Sequence, residues 1–187
     1  MKFYFNRALR ILLATNAAVI FAAAMLTPIY AIYVEKIGGD ILDASLTSGV
    51  FALVSGMVVL VAGRYSDKMK DSELLVIAGY VILGLGFFLY NFVDTVMSLF
   101  MVQALIGLGY ASTAPAYDAL YTKHVDGHRS GWQWSGWEAM AYFTTAAGSV
   151  AGGFVVSRFG FSALFVTMSL LSLASALYMY LLPRRVL

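Results

Sequence analysis

Gly63-Arg64-Tyr65-Ser66-Asp67-Lys68-Met69-Lys70-Asp71 is the densest cluster of charge in a chain that otherwise avoids charge. Apolar runs flank it, residues 46–62 before and 74–92 after. A helix needs roughly 20 apolar residues to cross the hydrocarbon core of a bilayer, with about 17 as the lower limit. A charged turn between two such runs reads as a loop at a membrane surface. The alternation continues outward in both directions, with further apolar runs at 11–34, 96–122, 132–156 and 161–182. The expected fold is therefore an all-α membrane protein in which residues 1–187 form a single bundle of six transmembrane helices, with the lipid bilayer as its solvent.

Composition agrees. Hydrophobic residues make up 61% of the chain and charged residues 12%, whereas soluble domains carry about 45–50% apolar and about 25% charged residues. The net charge of +2 exerts no strong pull on nucleic acid, and the lack of cysteine excludes disulfides, thiol catalysis and Cys-ligated metals. The run 11–34 exceeds the apolar region of a signal peptide, usually about 7–15 residues, so it reads as a first span. His124 and His128 stand four apart around Asp126, but Gly127 between them and the absence of a further acid cluster speak against a metal site. There is no phosphate loop, nucleophile elbow or paired-carboxylate pattern, so neither an enzyme nor a cofactor is expected.

The loops carry a sidedness. Of the twelve Lys and Arg, ten fall at the N-terminus, in the 63–71 turn, in the 123–131 loop and at the C-terminus, all on one side; only Lys36 and Arg158 fall on the other. Basic residues accumulate on the cytoplasmic side, so both termini are expected there, in a multi-pass protein of the cytoplasmic (cell) membrane. Trp132, Trp134 and Trp137 open the fifth run on that same side, where an interfacial aromatic belt belongs. Gly107 and Gly109 in the fourth run, and Gly148, Gly152 and Gly153 in the fifth, have the small size that lets helices pack closely in lipid.

Acids inside apolar runs are costly and serve as default functional candidates. Asp118 lies near the cytoplasmic end of the fourth run, and Glu138 lies six residues into the fifth. Each reads either as a proton or cation site or as a headgroup-level acid paired with Lys123, Arg129 or Arg64. Asn16, Gln103, Thr144 and Thr145 supply polar groups, and Tyr30, Tyr110, Tyr117, Tyr142 and Phe143 supply aromatic surface, that either line a cavity or pack helices. With little fixed charge near mid-membrane, such a cavity suits a small apolar or amphipathic compound.

Several of these stretches, taken in order, resemble the Major Facilitator Superfamily. Gly63, Asp67 and Lys68 match the family's Gly-x-x-x-Asp-Arg/Lys loop between spans two and three; Lys70, Asp71 and Ser72 depart from its tail. Gln103-Ala104-Leu105-Ile106-Gly107-Leu108-Gly109 is similar to a span-four stretch that begins with arginine in the family. Gly148-Ser149-Val150-Ala151-Gly152-Gly153 is close to Gly-Pro-x-x-Gly-Gly, with Ser149 where proline is usual, which weakens an antiporter inference. Family members have two six-helix halves related by an axis along the membrane normal. The resemblance implies a secondary transporter working by alternating access. It implies that this single half pairs as a parallel homodimer through spans two and five, and that Asp67 acts as a gate against the N-terminus of the partner's span five. Two alternatives stay open: a non-transporting membrane subunit or scaffold, or an isolated half of a longer twelve-helix transporter. The ending at residues 183–187 fits a natural stop and equally a cut at the edge of a central loop.

Overall fold

Polar caps set where the helices begin. Asn6 accepts a hydrogen bond from the Leu9 N–H at 2.8 Å and starts α1, Arg7–Leu26. Thr95 and Ser98 form a reciprocal capping box at the head of α5, Val96–His124. In the computed structural model, residues 5–66 and 71–183 are described, and every regular element among them is helical. Asp67, Lys68 and Lys70 of the charged turn, and Arg184 and Arg185, lie outside the described residues. Pro28 sits in a 3₁₀ turn, Thr27–Ile29, that joins α1 to the short α2, Tyr30–Lys36. Then follow α3, Ile41–Ser66, and α4, Glu73–Leu89, before α5, and the long α6, Ser130–Leu181, after it.

Five helical stretches are long and apolar enough to cross a membrane: Arg7–Lys36, Ile41–Ser66, Glu73–Phe92, Val96–His124 and Gly127–Leu181. The last contains all 52 residues of α6, which as a straight rod would run about 78 Å at 1.5 Å per residue, far beyond a hydrocarbon core of about 30 Å. It is not a straight rod. Gly160 has φ 80° and ψ 175°, a conformation essentially confined to glycine.

Contacts show that the chain reverses there. The first part of α6 runs alongside α1 in the same direction: Phe5 packs at Gly136, Phe21 at Gly148 and Met25 at Gly152. The second part runs against α4: Ser162 donates to the Asn91 side chain at 2.7 Å, Leu173 packs on Gly84, and Met179 and Tyr180 meet Leu74 and Ile77. Because α1 and α4 run the same way, as the Asn16–Tyr80 and Tyr33–Tyr90 contacts fix, the two parts of α6 are antiparallel.

Close approach of backbones holds the bundle together. A Cβ on Gly107 would stand 2.8 Å from the Phe51 carbonyl, and one on Gly148 would stand 2.7 Å from that of Phe21; Gly109 meets Ile82 and Leu83, and Gly152 the Met25 backbone. Gly153 has no atom within 4 Å of that point. Aromatic clusters close both ends. Tyr33, Tyr90, Phe161 and Phe165 stack or meet edge-on, with Lys36 Nζ 5.2 Å from the Phe161 ring centre. At the opposite end Tyr117, Tyr121, Trp134 and Trp137 form a chain, beside the hydrogen bond from the Asn6 amide to the His124 carbonyl. Trp134 and Trp137 thus pack inward, whereas Trp132 is exposed.

Candidate functional site

The helices do not close completely on one another. An open cavity of about 680 Å³ is walled by all six helices. Its positions on α4 show why. Tyr80, Leu83, Phe87 and, just beyond, Tyr90 recur at intervals of three and four, which places them on one helical face. Asn16, Val19, Ile20 and Ala23 do the same on α1, and Gln103, Ile106, Tyr110, Thr113, Tyr117 on α5. Eight aromatic side chains contribute: Tyr30, Phe51, Tyr80, Phe87, Tyr90, Tyr110, Tyr117 and Trp137. Among the described lining residues the only charged side chain is Asp118.

Polar groups in the wall are tied across helices. Gln103 donates through Nε2 to the Tyr30 hydroxyl at 2.6 Å, which lies 2.7 Å from Thr47 Oγ1. Thr47 in turn donates to the Asp43 carbonyl at 2.7 Å. This line of bonds crosses from α5 through α2 to α3. Deeper along the wall Asn16 donates to the Tyr80 hydroxyl at 3.2 Å. Among the described residues, buried Asn16 Oδ1 makes no hydrogen bond, and the Tyr117 hydroxyl and Trp137 Nε1 face each other without a hydrogen bond of full geometry. Asn16 Oδ1 in the wall therefore keeps unspent hydrogen-bonding capacity, an unusual state for a buried polar atom.

The candidate residues scatter differently from their spacing in sequence. Asn16, Gln103, Tyr110 and Asp118 share the cavity, together with Tyr30, Tyr117 and Thr145. Tyr142 and Phe143 are 72% and 77% exposed on the outer face of α6, and neither they nor Thr144 or Glu138 line the cavity. Glu138 is exposed. Gly63 lies near the end of α3 with open space around it, while Asp67 and Lys68 fall outside the described residues. His124 ends α5, and His128 lies in the 3₁₀ turn that follows; among the described residues no three His, Cys, Asp or Glu gather into a metal-binding group. The sequence reading passed over the α4 wall, Tyr80, Phe87 and Tyr90, as well as Phe51, and set Trp137 in an interfacial belt, whereas it lines the cavity. The recurrence of rings at 80, 87 and 90 on one helical face was the available signal.

A bundle of membrane-length helices around an open, aromatic-walled cavity defines a multi-pass membrane protein with a solute-sized chamber. The Major Facilitator Superfamily model matches residues 12–186, and the chain belongs to that family. It is similar to Multidrug resistance protein MdtG of Enterobacter lignolyticus (strain SCF1), 26% identical over 177 residues, covering 93% of this chain and 42% of the relative. The MdtG protein of Yersinia enterocolitica is 27% identical over 173 residues, covering 90% and 42%. That of Salmonella typhimurium is 24% identical over 178 residues, covering 93% and 44%. The chain thus spans less than half the length of these curated relatives.

Proposed function

We propose that the chain is one half of a secondary transporter that moves small apolar or amphipathic compounds across the cell membrane by alternating access. The observation that carries this is the cavity: about 680 Å³, eight rings and, among the described lining residues, one charged side chain, Asp118. Ligand sites of about 300–1,000 Å³ lined mainly by apolar and aromatic groups are the common type for small molecules. The relatives' name, multidrug resistance protein, agrees with a chamber that selects on amphipathic character. Of the two membrane acids, Asp118 is the one we assign to proton or cation binding, because it stands in the cavity wall and Glu138 does not.

In this reading the break at Gly160 divides α6 into two spans, giving six in all with both termini cytoplasmic. Support for the sidedness comes from Lys36 and Arg158, the two minority basic residues, which sit beside Phe161 and Phe154 at the end remote from Asn6 and His124. The path is completed by a second bundle that docks on α3 and the first part of α6. The most apolar window of α3 is only 11% buried, against 39–44% for the other four stretches. Gly49, Gly56 and Gly63 recur every seven residues on α3 with no atom within 4 Å of where a Cβ would stand, a strip that allows close approach of another helix. Leu53 and Met57 of α3, and Val150 and Phe154 of α6, are exposed as well. The occupant we favour is a second copy in parallel orientation with two-fold symmetry.

Cysteines at Leu53 and Val150 test the pairing: oxidation in native membranes should give dimers from the doubly substituted chain. Persistent monomers across several such pairs would overturn the homodimer. The relatives' greater length favours a second reading, in which the docking bundle belongs to the same, longer polypeptide.

A further inference from the structure

The geometry points to Gln103 as a specificity-determining residue that presents a hydrogen-bond acceptor to the cavity and selects compounds bearing an N–H or O–H donor. This rests on the cavity being a binding chamber, as proposed above.

The orientation of the Gln103 amide follows from proton counting. Thr47 has one hydroxyl proton. It is directed at main-chain acceptors of its own helix, the Asp43 carbonyl at 2.7 Å and that of Ala44 at 3.1 Å. Toward Tyr30, 2.7 Å away, Thr47 then accepts, and we assign the proton between the two hydroxyls to Tyr30. With that proton committed, the Tyr30 oxygen accepts from Gln103, whose NH₂ lies 2.6 Å away. The carbonyl oxygen Oε1 is left over. It makes no hydrogen bond among the described residues, yet it is not one of the sealed, unpartnered atoms such as Asn16 Oδ1. The side chain itself is 7% exposed and belongs to the cavity wall. The accessible part of a locked amide is therefore an acceptor, set on a clamp that spans three helices.

The remainder of the wall strengthens the selection. Fifteen residues further along the same helix, about 22 Å at 1.5 Å per residue, stands the Asp118 carboxylate, and among the described residues no Lys or Arg lines the cavity. A donor-bearing compound can satisfy Oε1. An otherwise equal compound without a donor must leave that oxygen unpaired once it displaces water, and an unpaired buried acceptor is costly. Anions meet an acceptor at one end and a carboxylate at the other. Tyr30 acts on selectivity as a positioning residue, since without its hydroxyl the amide is free to turn.

A matched pair of neutral probes tests this: 2-naphthol and its methyl ether, 2-methoxynaphthalene, titrated calorimetrically into the full chain in nanodiscs, with empty nanodiscs subtracted. The wild type should prefer the naphthol by about three- to tenfold, the range of one neutral hydrogen bond. Gln103→Met should bring the ratio close to one by tightening the methyl ether, which no longer leaves an acceptor unpaired, a gain that a misfolded variant cannot give; Tyr30→Phe should reduce the ratio. Equal binding of both probes to the wild type, or a preference that survives in Gln103→Met, overturns the inference while leaving the cavity reading intact. Failure of both probes to bind the wild type overturns the cavity reading and this inference together.

Discussion

Replacing Gly152 with alanine, with Gly153→Ala as its neighbour and control, isolates the contact that joins α1 to α6. The two substitutions add the same methyl group to the same helix one residue apart. A methyl at 152 would overlap the Met25 main chain, with the carbonyl carbon 2.5 Å and the Cα 2.6 Å away, whereas a methyl at 153 meets nothing within 4 Å. The obstructing atoms are helix backbone and have no rotamer to change, so α1 and α6 must separate. Separation also loosens the next contact one turn earlier, Gly148 on the Phe21 carbonyl. Alanine for glycine inside a helix gains about 0.8–1.0 kcal/mol of propensity, but this gain is common to both variants and cancels in the comparison. The difference between them is the steric cost alone, about 1–3 kcal/mol for overpacking. Reversible unfolding by SDS titration from mixed micelles measures it. Gly152→Ala should unfold at lower SDS fraction than wild type, and Gly153→Ala at an equal or higher one. Equal stability of the two variants would refute the α1–α6 packing described.

Two other perturbations follow from the same geometry. Gly160→Ala forces a side chain into φ 80°, ψ 175°, which costs about 1–3 kcal/mol; in the same titration it should destabilise, while Gly127→Ala, in a position with no atom within 4 Å, should not. Asp118→Asn should lower the transport of a cationic amphiphile into proteoliposomes and flatten its pH profile, and Glu138→Gln should leave both unchanged; a flattened profile in the Glu138 variant alone would move the assignment from the cavity wall to the outer face.

How much of this was legible in the sequence depended on whether the signal was local. The apolar runs announce the helices because every backbone group must be paired within lipid, and that requirement acts residue by residue along one segment. The Gly160 reversal was similarly visible, as a short polar step between two apolar runs. Orientation around a helix axis was not. Asp118 and Glu138 have similar local surroundings in sequence and both are exposed, yet Asp118 lines the cavity and Glu138 does not. The hydrophobic contrast that betrays the inner face of a soluble helix is weak when lipid is as apolar as the core, so Tyr142 and Tyr110 could not be told apart by their neighbours. The Gln103–Tyr30–Thr47 line is still less accessible to sequence, since it joins residues 73 and 17 positions apart. It becomes a single device only when α2, α3 and α5 meet.

If the cavity is the path of a transported compound, filling it must block that path. Ala141 lines the chamber, and a tryptophan there takes up part of its space. Efflux of a neutral amphipathic fluorophore from proteoliposomes should depend on the wild-type protein and fall to the protein-free rate with Ala141→Trp, at unchanged stability in the SDS titration. Efflux that is equally fast with the cavity filled would contradict the account.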